Sequence, residues 1–228
     1  MSVLGHAARV AAKDLKIELR SREIIYTMAF FGALIVVIDA FVFPSNKPDV
    51  VALAAPGMLW VAIAFAGTIG LGRAFDRERE NDTMRALLLA PIPRLSVFLG
   101  KAVAITVLVL SVAVVCVPLL ALFLEADLFA APAHLALALV LGAIGFSIVG
   151  SVFSAMLLKV RSRDVLLPVI LYPIMIPLFT AGTQATAALL RVGGPNIDRA
   201  WYWIGFLGIY DAAALVVSFW IYEELVIE

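Results

Sequence analysis

Apolar residues run through the chain in six blocks of membrane length, and polar residues gather between them. The blocks lie near 24–43, 51–72, 97–124, 134–158, 164–190 and 202–222. Each reaches the ~20 residues that a ~30 Å hydrocarbon layer asks of a helix rising ~1.5 Å per residue. The third and fifth are longer, so they must tilt, bend or run past the core. Ahead of the first block, Leu4, Ala8, Ala11, Leu15 and Leu19 recur at helical spacing, with Arg9, Lys13, Lys16, Arg20 and Arg22 left for a polar face. That pattern predicts an amphipathic lead helix over residues 1–23, lying on an anionic bilayer surface. The stretch from Asp14 to Arg20 also alternates with period two, which a strand would share, but proximity to the bilayer favours a helix. The longest polar interval is the connector 73–94. In it Met84, Leu87 and Leu88 stand at i, i+3, i+4, which predicts a short helix with one apolar face. Asn81 or Asp82 would cap it, and Pro91 with Pro93 would stop it.

Composition agrees with the pattern and sharpens it. The chain is 64% hydrophobic and 15% charged, against roughly 45–50% and about 25% in soluble domains. The fold class it predicts is an all-α membrane protein: six transmembrane helices, an amphipathic surface helix and a charged connector, in one permease domain over 1–228. Net charge is zero, yet its distribution is lopsided. Of the seventeen Lys and Arg, fourteen fall in the lead, in the 73–101 interval and at 159–163, while Lys47, Arg191 and Arg199 fall on the opposite side. By the positive-inside rule both termini are cytoplasmic. The charged lead does not read as a cleaved secretory signal, so the first span is expected to be retained. One cysteine, Cys116, excludes an internal disulfide framework. Nothing in the pattern marks nucleic acid as a partner.

Three spans carry features beyond length. In the sixth, Trp201, Tyr202 and Trp203 at one end and Trp220 with Tyr222 at the other read as interfacial belts about 29 Å apart. Asp211 falls midway, where an ionisable group costs at least ~2.5 kcal/mol unless partnered. It is either a functional acid or a neutral one bonded to a neighbouring helix. Asp39 sits nearer its helix end and is expected at the outer interface. In the fourth span Ala143, Ser147, Ser151 and Ala155 repeat every four residues beside Gly142, Gly150 and Ser154, fitting a subunit interface or packing within the bundle. In the fifth, Pro168, Pro173 and Pro177 predict a kinked or broken helix. Gly193, Gly194, Pro195 and Asn196 predict an outer turn.

Catalytic patterns are missing. No GxxxxGK(S/T) phosphate loop occurs, and Gly67, Gly70 and Gly72 lie inside an apolar span, where helix packing explains them. No Ser/His/Asp set is evident. A membrane machine without its own nucleotide site, yet with a docking helix outside the bilayer, points to an engine in another subunit.

Phe75, Arg77, Glu78, Arg79 and Glu80, then Leu87-Leu88-Leu89-Ala90-Pro91, Arg94 and Gly100-Lys101, resemble the cytochrome c maturation permease family CcmB, also called haem exporter protein B. So do Lys13-Asp14-Leu15, the run Glu18-Leu19-Arg20-Ser21-Arg22-Glu23 and the proline-rich fifth span. The resemblance covers essentially the whole chain and departs from the family pattern at Asp82 and Arg85. It implies the non-catalytic membrane subunit of a type-2 ABC exporter in the bacterial inner membrane, working as a homodimer or hetero-oligomer. The implied partners are an ATP-hydrolysing subunit CcmA, which would hold ATP-Mg, the haem-handling proteins CcmC and CcmD, and the haem chaperone CcmE. It also implies that the connector is a coupling helix, docking through Phe75, Arg77, Glu78, Arg79, Glu80, Thr83, Met84, Leu87, Leu88 and Pro91. Lys13, Lys16, Arg20 and Arg22 would then belong to a surface elbow helix. Haem is what such a complex handles, either as exported cargo or on the chaperone it releases. Within this chain His134, Tyr172, Met175 and Cys116 have side chains that ligate iron, but each also has an ordinary interfacial or core role. Two other readings remain open: a type-2 exporter permease for a lipid or drug, and a proton-coupled secondary transporter using Asp211 and Asp39.

Overall fold

The computed structural model describes residues 3–43, 48–80, 93–157, 160 and 162–225. Among them are seven α-helices: α1 (Val3–Ser21), α2 (Glu23–Val42), α3 (Pro48–Glu80), α4 (Arg94–Leu124), α5 (Pro132–Met156), α6 (Arg163–Leu189) and α7 (Ile197–Leu225). Helices α2 to α7 each contain a segment long and apolar enough to cross a membrane. The protein is thus an all-α membrane protein. Most helix ends fall within a few residues of the apolar blocks, with one large exception. Helix α3 does not stop at residue 72 but continues to Glu80, making it 33 residues long. At ~1.5 Å per residue that is about 50 Å, well beyond the hydrocarbon layer. The reason is local: from Arg73 to Glu80 there is no glycine or proline, and Arg73/Asp76, Asp76/Arg79 and Arg77/Glu80 place opposite charges at i, i+3. What looked like the start of a separate connector is the end of a spanning helix.

Of the two expectations for the proline-rich span, a kink or a break, helix α6 shows no break. It runs uninterrupted through Pro168, Pro173 and Pro177. Prolines are tolerated inside a spanning helix when neighbours re-satisfy its backbone. Here α5 and α7 flank it, and the Tyr210 hydroxyl of α7 donates to the Ile174 carbonyl at 3.0 Å, a bond that ties α7 to the proline-rich stretch without replacing one lost at a proline. Beyond α6, Gly193 and Gly194 take φ of 94° and 113°, the left-handed region that glycine enters freely. Asn196 then accepts the Arg199 backbone N–H at 3.0 Å and so caps α7.

The bundle is organised around α5, which packs against α3, α4, α6 and α7. Its row of small residues is buried inside this chain: Ala143, Ser147 and Ser151 are all closed off from solvent. Packing within the bundle therefore accounts for it. One close seat belongs to Trp60 of α3, whose ring occupies the space that a Cβ would take at both Gly142 of α5 and Gly182 of α6. Its Nε1–H donates to Thr186 Oγ1 at 3.1 Å, and Thr186 in turn donates to the Gly182 carbonyl at 2.9 Å. A bulky ring with a satisfied polar tip thus holds three helices in register.

Gly142→Ala should destabilise the bundle by about 1–3 kcal/mol, because the new methyl overlaps the indole. Gly205→Ala, where an added Cβ meets nothing within 4 Å, should be neutral or gain up to about 1 kcal/mol of helix propensity. Melting of the two variants in mild detergent, followed by size-exclusion fluorescence, reads this difference of sign.

Candidate functional site: a junction at the root of the connector

Five helices meet where α3 leaves the bundle, and side chains tie them together. Glu18, near the end of α1, is only 2% exposed. Its Oε1 accepts the backbone N–H groups of Ile24 at 2.7 Å and Ile25 at 3.0 Å, in the first turn of α2. Ser21 Oγ reaches the other carboxyl oxygen at 3.5 Å. A helix start leaves its first N–H groups without intrahelical partners and carries a partial positive charge, so a carboxylate is well placed there. The bend between the two helices is made by Arg22, which takes left-handed φ 58° and ψ 6° and has no capping side-chain bond of its own. The previous helix thus supplies the cap that the bend residue lacks.

Lys101, two turns into α4, is also buried. Its Nζ pairs with Asp14 Oδ2 of α1 at 3.0 Å and stands 5.5 Å from the ring centre of Phe75 on α3. Lys13 pairs with the other oxygen of Asp14 at 3.0 Å. Burying an ammonium is costly unless it is paired, and an aromatic face adds ~0.5–2 kcal/mol. Arg73 of α3 pairs with Glu23 of α2 at 3.2 Å, exposed to solvent, where such a pair is worth little. Arg163 opens α6 with its side chain almost fully buried. Its Nη2 donates to the Gly72 carbonyl of α3 at 2.6 Å. Three helices therefore grip the last turns of α3 through its backbone, its aromatic ring and its charge.

The expected site residues distribute as follows. Phe75 is buried in the junction, and Arg77, Glu78, Arg79 and Glu80 lie on the final turns of α3. Thr83, Met84, Leu87, Leu88 and Pro91 lie outside the described residues. Lys16 and Arg20 of α1 and Arg22 at the bend are exposed, while Ala7, Val10, Ala11 and Glu18 of α1 face the protein. Of the apolar row read from sequence, Leu4, Ala8 and Leu19 are exposed rather than turned to the bundle. Helix α1 accordingly has three sides, one on α4, one apolar and one basic.

Asp211 lies elsewhere, 5% exposed in the seam of α5, α6 and α7. Its carboxyl fills the space beside Gly145, with Leu178 against the same position. Neither carboxyl oxygen has a hydrogen-bond partner among the described residues. Asp39 is half-buried in the last turn of α2, with its backbone carbonyl accepting the Phe43 N–H. The side chains weighed as iron ligands are spread through the packing. His134 meets Trp201 edge-on at 5.4 Å, and Tyr172 bonds Thr68 at 3.2 Å. Met175 and Cys116 are completely buried on α6 and α4.

Sequence reading had named Asp14, Glu18 and Lys101 as motif members without pairing them, and it used Arg163 only to count charge. The usable signal was Lys101, a lysine inside the apolar block 97–124, where it needs a partner; Arg163, in the polar run 159–164, carried no such signal.

Six apolar spans around a packed core, with interhelical ion pairs among the described residues gathered at the connector end, define a polytopic helical membrane protein. The CcmB protein family matches residues 6–225, and the chain belongs to that family. It is 28% identical over 194 residues to "Heme exporter protein B" of Rhodobacter capsulatus, covering 84% of this chain and 85% of that protein. With the protein of the same name from Pseudomonas aeruginosa it shares 28% identity over 172 residues, 75% and 76% of the two chains. The Escherichia coli K12 protein so named is 30% identical over 97 residues, 42% and 43% of the two.

Glu18→Ala should free the α2 N-terminus at a cost of about 1–2 kcal/mol. Hydrogen exchange should then speed up at the Ile24 and Ile25 amides and stay unchanged around Trp60.

Proposed function

We propose that this chain is the membrane subunit of a haem export system of cytochrome c maturation, driven by ATP hydrolysis in a separate subunit. Membership of the CcmB family over nearly the whole chain carries this reading. The names of its relatives supply the haem. On this reading both termini and the connector are cytoplasmic, in keeping with the excess of Lys and Arg on that side. The connector through residue 94 presses its apolar face, Met84, Leu87 and Leu88, into the ATPase subunit, CcmA in the family's terms. Phe75, Arg77, Glu78, Arg79 and Glu80 form its root. CcmC, CcmD and CcmE are the further partners, and the lead over residues 1–23 rests at the bilayer surface with Lys13, Lys16, Arg20 and Arg22 toward lipid headgroups. Conformational work then enters through α3 and α4, the two helices the connector joins.

The first experiment is a mild-detergent pull-down from the native membrane, with mass spectrometry and a haem absorption spectrum of the eluate. An ATPase together with the maturation proteins is the expected result. An ATPase without them would transfer the reading to a permease for another cargo, and no ATPase in any detergent would refute the docking role. Leu87→Asp with Leu88→Asp should cost a few kcal/mol of docking, since unpaired charges enter an apolar interface. The double variant should reach the membrane but lose its ATPase and its cytochrome c output. Asp211→Asn should mature cytochrome c near the wild-type level, because the amide fits the same seam. A large loss at normal membrane abundance would instead make that carboxyl's proton part of the cycle.

A further inference from the structure

Helix α1 sits at the edge of the bundle, resting on α4 and touching α2 only lightly. Its seat on α4 is close. A Cβ at Gly100 would stand 2.6 Å from Val10 Cβ and 2.7 Å from the Ala7 carbonyl oxygen. One residue further on, Lys101 reaches Asp14 of α1 at 3.0 Å and lies over the Phe75 ring of α3 at 5.5 Å. Phe75 is one to two turns before the end of α3, and Lys101 is two turns after the start of α4. These two helices flank the connector, so the contact between Lys101 and Phe75 closes the connector's base. The same ammonium then passes to Asp14, and one turn further along α1 Glu18 grips the N-terminus of α2.

We infer that Lys101 is a positioning residue for energy transfer: it latches the two ends of the connector together and carries their displacement through Asp14 to α1 and, through Glu18, to the first span. This inference rests on the docking role proposed for the connector. An alkyl chain cannot replace the latch, because the link to α1 is an ion pair of short reach and the link to α3 needs a cation over a ring face. A purely structural lysine would hold the helices together without affecting how ATP hydrolysis is used.

The test uses the full complex in its native membrane, with Lys101→Met, Asp14→Asn and the exchange of Asp14→Lys with Lys101→Asp. Four quantities are measured: membrane abundance, copurified ATPase, ATP hydrolysed and holo-cytochrome c formed. Both single variants are expected to keep abundance, ATPase and hydrolysis, while cytochrome formed per ATP falls at least about fivefold, the lower range of coupling between sites. The exchanged pair can remake the ion pair to α1 but puts no cation over the Phe75 ring, so it should recover little of that loss, and full recovery would overturn the link to α3. If Lys101→Met fails to accumulate, Asp14→Asn decides alone, since Asp14 is one-fifth exposed and the amide oxygen of Asn can still accept from the Lys101 ammonium while the charge is removed. Unchanged yield per ATP in the single variants would overturn the inference. So would a loss of output that merely follows lost abundance or lost ATPase. An absence of ATPase from the wild-type complex is a different signature, and it would remove the docking role together with this inference.

Discussion

The seat of Trp60 is the contact around which the membrane part of the protein is arranged. Inside a bilayer, helices gain nothing from hiding apolar surface, because lipid is as apolar as leucine. Their association rests on close packing and a few satisfied polar groups. Gly142 and Gly182 leave room for one indole between α5 and α6, and Thr186 accepts its N–H. A larger residue at either glycine would push α3 outward, and α3 is the helix that continues into the connector. The geometry deep in the bundle thereby sets where the connector leaves it.

The opposite logic rules the connector end. There the ties are charged: Lys101 with Asp14, Glu18 with the α2 amides, and Arg163 with the Gly72 carbonyl. Such groups are admitted where buried charge finds carboxylates, carbonyls and a ring face together. A packed core resists gradual deformation, so a displacement applied at the end of α3 is expected to move helices as bodies. The charged ties determine which helices move with it. Asp211 is the exception to this division, a carboxyl set among apolar side chains far from those ties in sequence, held where Gly145 leaves space.

Much was readable before any coordinates. Block length and composition dictated six spans, because backbone groups in lipid must be satisfied within the segment and only a helix of about 20 residues does that alone. The turn between α6 and α7 was legible from Gly193 and Gly194, which adopt the positive φ that glycine permits. The family was legible from the charged motifs around residues 75–101. By contrast, apolar block boundaries mark the edge of lipid rather than the end of a helix, so the length of α3 was not visible in them. Likewise, three prolines in α6 signalled lost backbone donors, but whether the helix continued depended on neighbours that sequence does not identify.

Sequence by itself therefore determined the class, the number of spans and the family, since these follow from local hydrophobicity and residue order. Tertiary structure decided the pairings. It turned the small-residue face of α5 inward, gave α1 its three sides, and brought Asp14, Phe75 and Lys101 from three helices to one point. The physical reason is that hydrophobicity is a property of each residue, whereas an ion pair or a ring seated on two glycines depends on distances between segments remote along the chain.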